Sequence, residues 1–178
     1  MLIRNVRKKI SAISFVALLS IFIIINFTAQ ANANMFGFLK KYDVHLSPVV
    51  EGKVLFDGKP LIEQKIIRSL TYGDDEEQIE TVTSDHDGSF HFPEKNIRSR
   101  RPGSMFDEST VRQIILIKKN NKEYLLWYSN TLDIKPAQAI SKRLLSLQCD
   151  LDNSEKAFEF PSIEHPKLNH FTDSICRW

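Results

Sequence analysis

Residues 111–131 constrain this chain more tightly than any other stretch. Val111–Lys119 and Glu123–Ser129 are β-branched and apolar runs on either side of Asn120-Asn121. Asparagine tolerates the positive φ that a two-residue turn requires, so the stretch predicts a tight β-hairpin. Ile114-Ile115-Leu116-Ile117 and Tyr124-Leu125-Leu126-Trp127-Tyr128 are nearly continuous apolar runs, which predicts central strands. Strict alternation places Tyr124, Leu126 and Tyr128 on one face and Leu125 and Trp127 on the other, one of the two faces being core.

The same pattern of short runs and sharp turns recurs along the chain. Val49–Phe56 ends at Asp57-Gly58-Lys59-Pro60, where glycine accepts positive φ and proline cannot extend a ladder. Lys65–Tyr72 forms a second run, broken by Gly73-Asp74-Asp75-Glu76-Glu77, and Gln78–Ser84 a third, with Ile79 and Val82 on opposite faces. Asp85-His86-Asp87-Gly88 turns into Ser89-Phe90-His91-Phe92, whose two phenylalanines share the core face. Residues 94–110 read as a long connection. Lys135–Ile140 reads as the start of a short helix with Pro136 in its first turn, and Leu144–Leu151 as its continuation or another strand. Ala157–Phe160 reads as a strand, with an irregular segment after Pro161. Strands at this spacing predict an all-β fold, a Greek-key β-sandwich with a C-terminal extension over 131–178.

The first 33 residues read as a secretory signal. Arg4, Arg7, Lys8 and Lys9 precede an apolar stretch from Ile10 to Ile25, and Ala31-Asn32-Ala33 has the small-x-small form of a cleavage site. An uncleaved anchor is the alternative, although the apolar run is short for a span of roughly 20 residues. Cleavage after Ala33 leaves residues 34–178, a single domain in the periplasm or secreted. It also removes four basic residues and no acidic ones, turning a net charge of +2 into −2. A globally basic nucleic-acid-binding surface is therefore excluded. Cys149 and Cys176 are the two cysteines, and in an oxidising compartment an even count predicts one disulfide, with two buried thiols as the alternative.

Glu51-Gly52-Lys53-Val54, Asp57-Gly58-Lys59-Pro60-Leu61 and Thr83-Ser84-Asp85-His86-Asp87-Gly88-Ser89-Phe90-His91-Phe92 together resemble the carboxypeptidase-regulatory-like domains of the transthyretin-like superfold. In that pattern Gly52 marks a bulge or close approach, Gly58 a turn and Asp87-Gly88 a hairpin. Ile62-Glu63-Gln64-Lys65 departs from it by being more polar than expected. The start of the mature chain, residues 35–48, is similar to that of small bacterial exported proteins of the same fold. The resemblance implies a seven- or eight-stranded sandwich used as a binding or spacer module, with no catalytic residues of its own.

Chemistry-bearing residues are sparse. His86 and His91 are the nearest approach to a metal pair, with Asp85 or Asp87 as a third ligand, but two ligands are too few and solvent-facing histidines explain them as well. His165 and His170 repeat that spacing. No nucleophile elbow is present, and Ser104 lies in a Pro-Gly-Ser-Met loop. Two features are candidates for partner binding. One is the acidic tip Asp74, Asp75, Glu76 and Glu77, whose adjacent charges are expected to repel and stay solvated. The other is the loop carrying Arg98, Arg100, Arg101, Met105 and Phe106, a composition favoured at interfaces. The Phe36/Phe38/Leu39 start reads as an edge strand or a small apolar patch.

These observations point to a non-enzymatic exported protein without a cofactor, binding another protein of the cell envelope. A specific version is an immunity-type protein that neutralises a delivered toxin. The sequence points to no nucleic acid, and to membrane contact only through the signal. A carbohydrate or small-ligand binder using Tyr124, Trp127 and Tyr128 is a second expectation, and an envelope enzyme with a His-based site a third.

Overall fold

The computed structural model describes residues 40–73, 75–103 and 110–178. The signal segment, its cleavage site, the Phe36/Phe38/Leu39 start, Asp74, Ser104, Met105 and Phe106 lie outside the described residues. From Tyr42 onward the chain is an all-β, sandwich-like fold with one short helix.

The strands in chain order are β1 (Tyr42–Ser47), β2 (Val50–Phe56), β3 (Lys59–Pro60), β4 (Lys65–Tyr72), β5 (Gln78–Thr83) and β6 (Ser89–Phe92). β7 (Lys95–Ser99), β8 (Val111–Lys119), β9 (Lys122–Thr131), the helix α1 (Gln138–Leu144), β10 (Leu147–Asp150), β11 (Lys156–Pro161) and β12 (Asn169–Ser174) follow. One layer is a six-stranded sheet in the order β11-β12-β9-β8-β4-β5. Facing it, β2 pairs with β10, β3 and β6, and β1 pairs with β7 in a separate two-stranded sheet.

The central hairpin forms as its turn dictates. Asn120 and Asn121 have φ of 52° and 58°, and Lys119 faces Lys122. Two positive φ values match the twist of the flanking strands. Asp57 and Gly58 repeat the device at φ of 52° and 68° between β2 and β3. Alternation fails at one place in β9. Ile115 pairs with Trp127 and Leu116 with Leu125, so Leu126 is an extra residue in a bulge. The bulge lets both Leu126 and Trp127 be fully buried and turns Tyr128 to the other face, contrary to the alternating pattern.

The main core lies between the layers. Val50 and Val54 of β2, Phe90 and Phe92 of β6 and Leu147 of β10 meet Ile66, Ile115, Ile117 and Trp127 of the large sheet. Gly52 is a close-approach glycine. A Cβ there would stand 2.8 Å from both the Leu147 carbonyl oxygen and the Phe90 ring. A smaller cluster of Val44, Leu46, Leu70, Tyr72 and Val111 holds β1 against the same large sheet.

Several elements differ from the sequence expectation. The fold has twelve strands among the described residues, more than the seven or eight that the resemblance implies. Residues 95–99 are a strand rather than part of a connection, because β1 supplies a partner from 48 to 57 residues earlier. Pro136 precedes the helix, whose N-cap is Ala137. The segment after Pro161 is not irregular throughout, since β12 is inserted between β11 and β9. Cys149 and Cys176, by contrast, are joined in the disulfide that the sequence predicts. Gln148 and Arg177 exchange two backbone hydrogen bonds beside it, at 2.7 and 2.8 Å. Trp178 then stacks edge-on against Trp127, with ring centroids 5.5 Å apart.

Candidate functional site

The acidic tip and the arginine-rich segment are one surface. Gly73 leaves β4 at positive φ, and its N–H donates to the Thr110 carbonyl at 3.0 Å. The Asp75 N–H closes the turn onto the Tyr72 carbonyl. Across from it, Ser99 ends β7 and Arg101 opens a short 3₁₀ turn over Arg101–Gly103. The Arg101 Nε donates to Asp75 Oδ1 at 2.9 Å, with both side chains a little over one-third exposed.

Two of the acids have partners although most of the tip stays in solvent. Glu77 Oε1 accepts a hydrogen bond from Ser69 Oγ and lies 4.0 Å from Arg112. Glu76 and Glu77 both stay exposed. On the other side Arg100 is exposed, and Arg98 makes a solvent-exposed ion pair with Asp43 at 3.4 Å. Arg98, Arg100, Arg101, Asp75, Glu76 and Glu77 thus share one end of the molecule with charges of both signs. The geometry offers ionic and hydrogen-bonding recognition on a rigid scaffold.

Behind this end lies a charged cluster that the sequence reading missed. Arg68 has no exposed surface and sits directly opposite Glu80 in the β4–β5 ladder. Its Nε donates to Glu80 Oε2 at 2.9 Å, and its Nη1 to Ser47 Oγ at 3.1 Å and the Pro93 carbonyl at 2.9 Å. Lys95 Nζ reaches the other Glu80 oxygen at 3.0 Å. Burial pushes the Glu80 carboxyl up, but hydrogen bonds and charge from Arg68 and Lys95 outweigh it and hold the group below its ordinary value. Four strands, β1, β4, β5 and β7, are tied through these groups. A signal was present in the sequence, because Arg68 stands in phase with Ile66, Leu70 and Tyr72 on the inward face.

The histidines fall elsewhere. His91 is exposed and lies 3.5 Å from Glu51, while His86 is exposed in its turn. Glu51, Lys53, Ser89, His91 and Gln148, together with Val82, Phe90 and Leu145, line an open cleft of about 560 Å³. Among the described residues, no three His, Cys, Asp or Glu side chains are grouped to share a metal ion. The aromatic residues suggested for sugar stacking do not form a platform. Trp127 is fully buried, its Nε1 donating to Ser129 Oγ at 3.0 Å.

The fold and this surface define a disulfide-bridged, all-β sandwich-like protein, and among the described residues no helix is long and apolar enough to cross a membrane. The chain belongs to the family described as Domain of unknown function (DUF6795), whose profile matches residues 50–154. No curated protein and no solved structure matches the chain. The matched segment runs from β2 through β10. It contains every described residue of the charged end except Asp43, and it stops short of β11, β12 and Cys176.

Proposed function

We propose that this protein is a non-enzymatic, exported protein-binding module whose charged end engages another protein of the cell envelope. The observation that carries the reading is the Arg101–Asp75 ion pair, which merges two sequence features into one surface. Mixed charges on a pre-ordered end favour selective docking, since like-charge juxtaposition penalises wrong partners. The secretory signal and the disulfide support an oxidising location. The resemblance to carboxypeptidase-regulatory-like domains supports a binding or spacer role. The narrower version is an immunity-type protein that occludes a delivered toxin.

Site-specific photo-crosslinking in cells tests this. A crosslinking residue replacing Arg100 or Glu76 is expected to trap one and the same envelope protein, and a crosslinker replacing Gln148 is not. Trapping of nothing, or equal trapping from all three positions, overturns the proposal. Finding the protein unprocessed in the cytosol overturns the exported part of it.

A further inference from the structure

The six-stranded sheet is split at one end. β9 and β12 pair antiparallel only through Ser129↔Thr172 and Tyr128↔Asp173. Continuing that register would match Asn130 with Phe171, Thr131 with His170 and Leu132 with Asn169. None of those pairs forms. All six residues instead line a cleft of about 360 Å³, within the roughly 300–1,000 Å³ range of ligand sites.

Up to Thr131 on one side and from Asn169 on the other, the walls of the cleft are strands already paired on their far sides, and beyond these strand ends Asp133 and His165 meet at 3.2 Å. Asn130 and Thr131 face Arg112 and Val111 of β8, and Asn169, His170 and Phe171 face Pro161, Phe160 and Glu159 of β11. Backbone groups of alternate residues in an antiparallel strand point to opposite neighbours, so some on each wall point into the gap. The lining adds two further features. Leu132, Leu168 and Phe171 are between 60 and 71% exposed, an unusual concentration of large apolar side chains. His170 is nine-tenths buried, yet its Nε2 has no hydrogen-bond partner.

We infer that this split takes an extended peptide segment of a partner protein. The peptide main chain takes up hydrogen bonds that β9 and β12 do not make with each other, and an apolar side chain lies against Leu132, Leu168 and Phe171. Three open registers at about 3.3 Å each give a length of about 10 Å, so some three residues are recognised. Main chain left without cross-strand pairing on two walls favours a peptide over a small apolar molecule, because a peptide backbone repeats donors and acceptors at that spacing. The occupant supplies its affinity through the main chain and its selectivity through one apolar position. This inference uses residues separate from the charged end and does not depend on it.

The test is selection of a displayed library of linear heptapeptides on the purified protein, followed by binding measurements with the synthetic peptides. Enriched sequences are expected to share an apolar residue flanked by β-forming residues, and to shift the amide resonances of residues 130–132 and 169–171. N-methylation of alternate peptide amides, and the exposed-site variants Leu132→Ser and Phe171→Ser, should each weaken binding by about tenfold or more. Arg100→Glu and Glu76→Arg should leave it unchanged. Failure to enrich any sequence, indifference to N-methylation, or resonance shifts confined to other residues overturns the inference. So does self-association of the protein through the cleft, or occupation by a small apolar probe such as benzene with no peptide binding.

Discussion

Arg68 and Glu80 face each other across the β4–β5 ladder, and the arginine is wholly buried while the carboxylate keeps 28% of its surface. A guanidinium without solvent must be matched by acceptors, and Glu80, Ser47 and Pro93 together provide them. Removing the one negative charge leaves the cation uncompensated between the layers. Glu80→Gln is therefore expected to destabilise the fold by about 2–3 kcal/mol, toward the low side for a buried pair because Glu80 is partly solvated. Urea unfolding at pH 7 measures this, and a change under 0.5 kcal/mol (roughly the scale of ordinary surface substitutions) would show the pair to be dispensable.

The same residue sets an acid response. The folded-state pKa of Glu80 lies below its ordinary value of 4.5, so its contribution is complete above that pH. It drains away as pH falls through the depressed folded value, because protonation is favoured in the unfolded chain. Stability measured from pH 6 down to pH 2 should fall in the native protein and fall less steeply in Glu80→Gln. Parallel curves for the two proteins would remove Glu80 from the explanation.

The disulfide closes a loop with a sequence separation of 27 between Cys149 on β10 and Cys176 beyond β12. Chain entropy assigns such a loop about 3.5 kcal/mol. Cys149→Ser with Cys176→Ser should lower stability by about that amount, and the midpoint of denaturant unfolding reads the loss. The Trp178–Trp127 contact should loosen with it, visible as a red-shifted tryptophan emission.

Gly52→Ala places a methyl group 2.8 Å from a backbone oxygen and 2.8 Å from the Phe90 ring. The ring can shift, but the β10 carbonyl cannot without breaking its parallel pairing with β2. A loss of about 1–3 kcal/mol is expected, typical of overpacking. Thermal unfolding of this variant against Glu51→Ala, which changes an exposed neighbour on the same strand, isolates the effect.

Arg101 and Asp75 form a partly exposed pair, so their direct coupling should be small. A double-mutant cycle with Arg101→Ala and Asp75→Ala is expected to give under about 1 kcal/mol. The functional consequence of Arg101→Glu should be larger than its effect on stability, since it reverses charge on the proposed contact surface. Crosslinking yield from Glu76 compared with the unfolding midpoint separates the two.

Strand identity and turn placement were legible locally. Asn120-Asn121, Asp57-Gly58 and the Phe90/Phe92 alternation each carry their own conformational reason, and the all-β class follows from them. The cysteine pairing was legible because only one pairing exists. β7 was not, because Lys95-Asn96-Ile97-Arg98 lacks a clear local pattern and becomes a strand only when β1 lies beside it, whereas β1 does alternate through Tyr42, Val44 and Leu46. The bulge at Leu126 was equally hidden. An extra residue looks like any other until the partner strand shows which one lacks a mate.

What the amino-acid order determined alone is therefore the set of short-range decisions, made by φ preference and side-chain alternation within a few residues. The tertiary structure decided which distant groups share a surface. Asp75 meets Arg101, Arg68 meets Ser47 and Pro93, and β12 enters the large sheet while stopping short of full pairing with β9. Those outcomes depend on sheet order and register, which arise from packing the two layers together and which no local stretch of chain encodes.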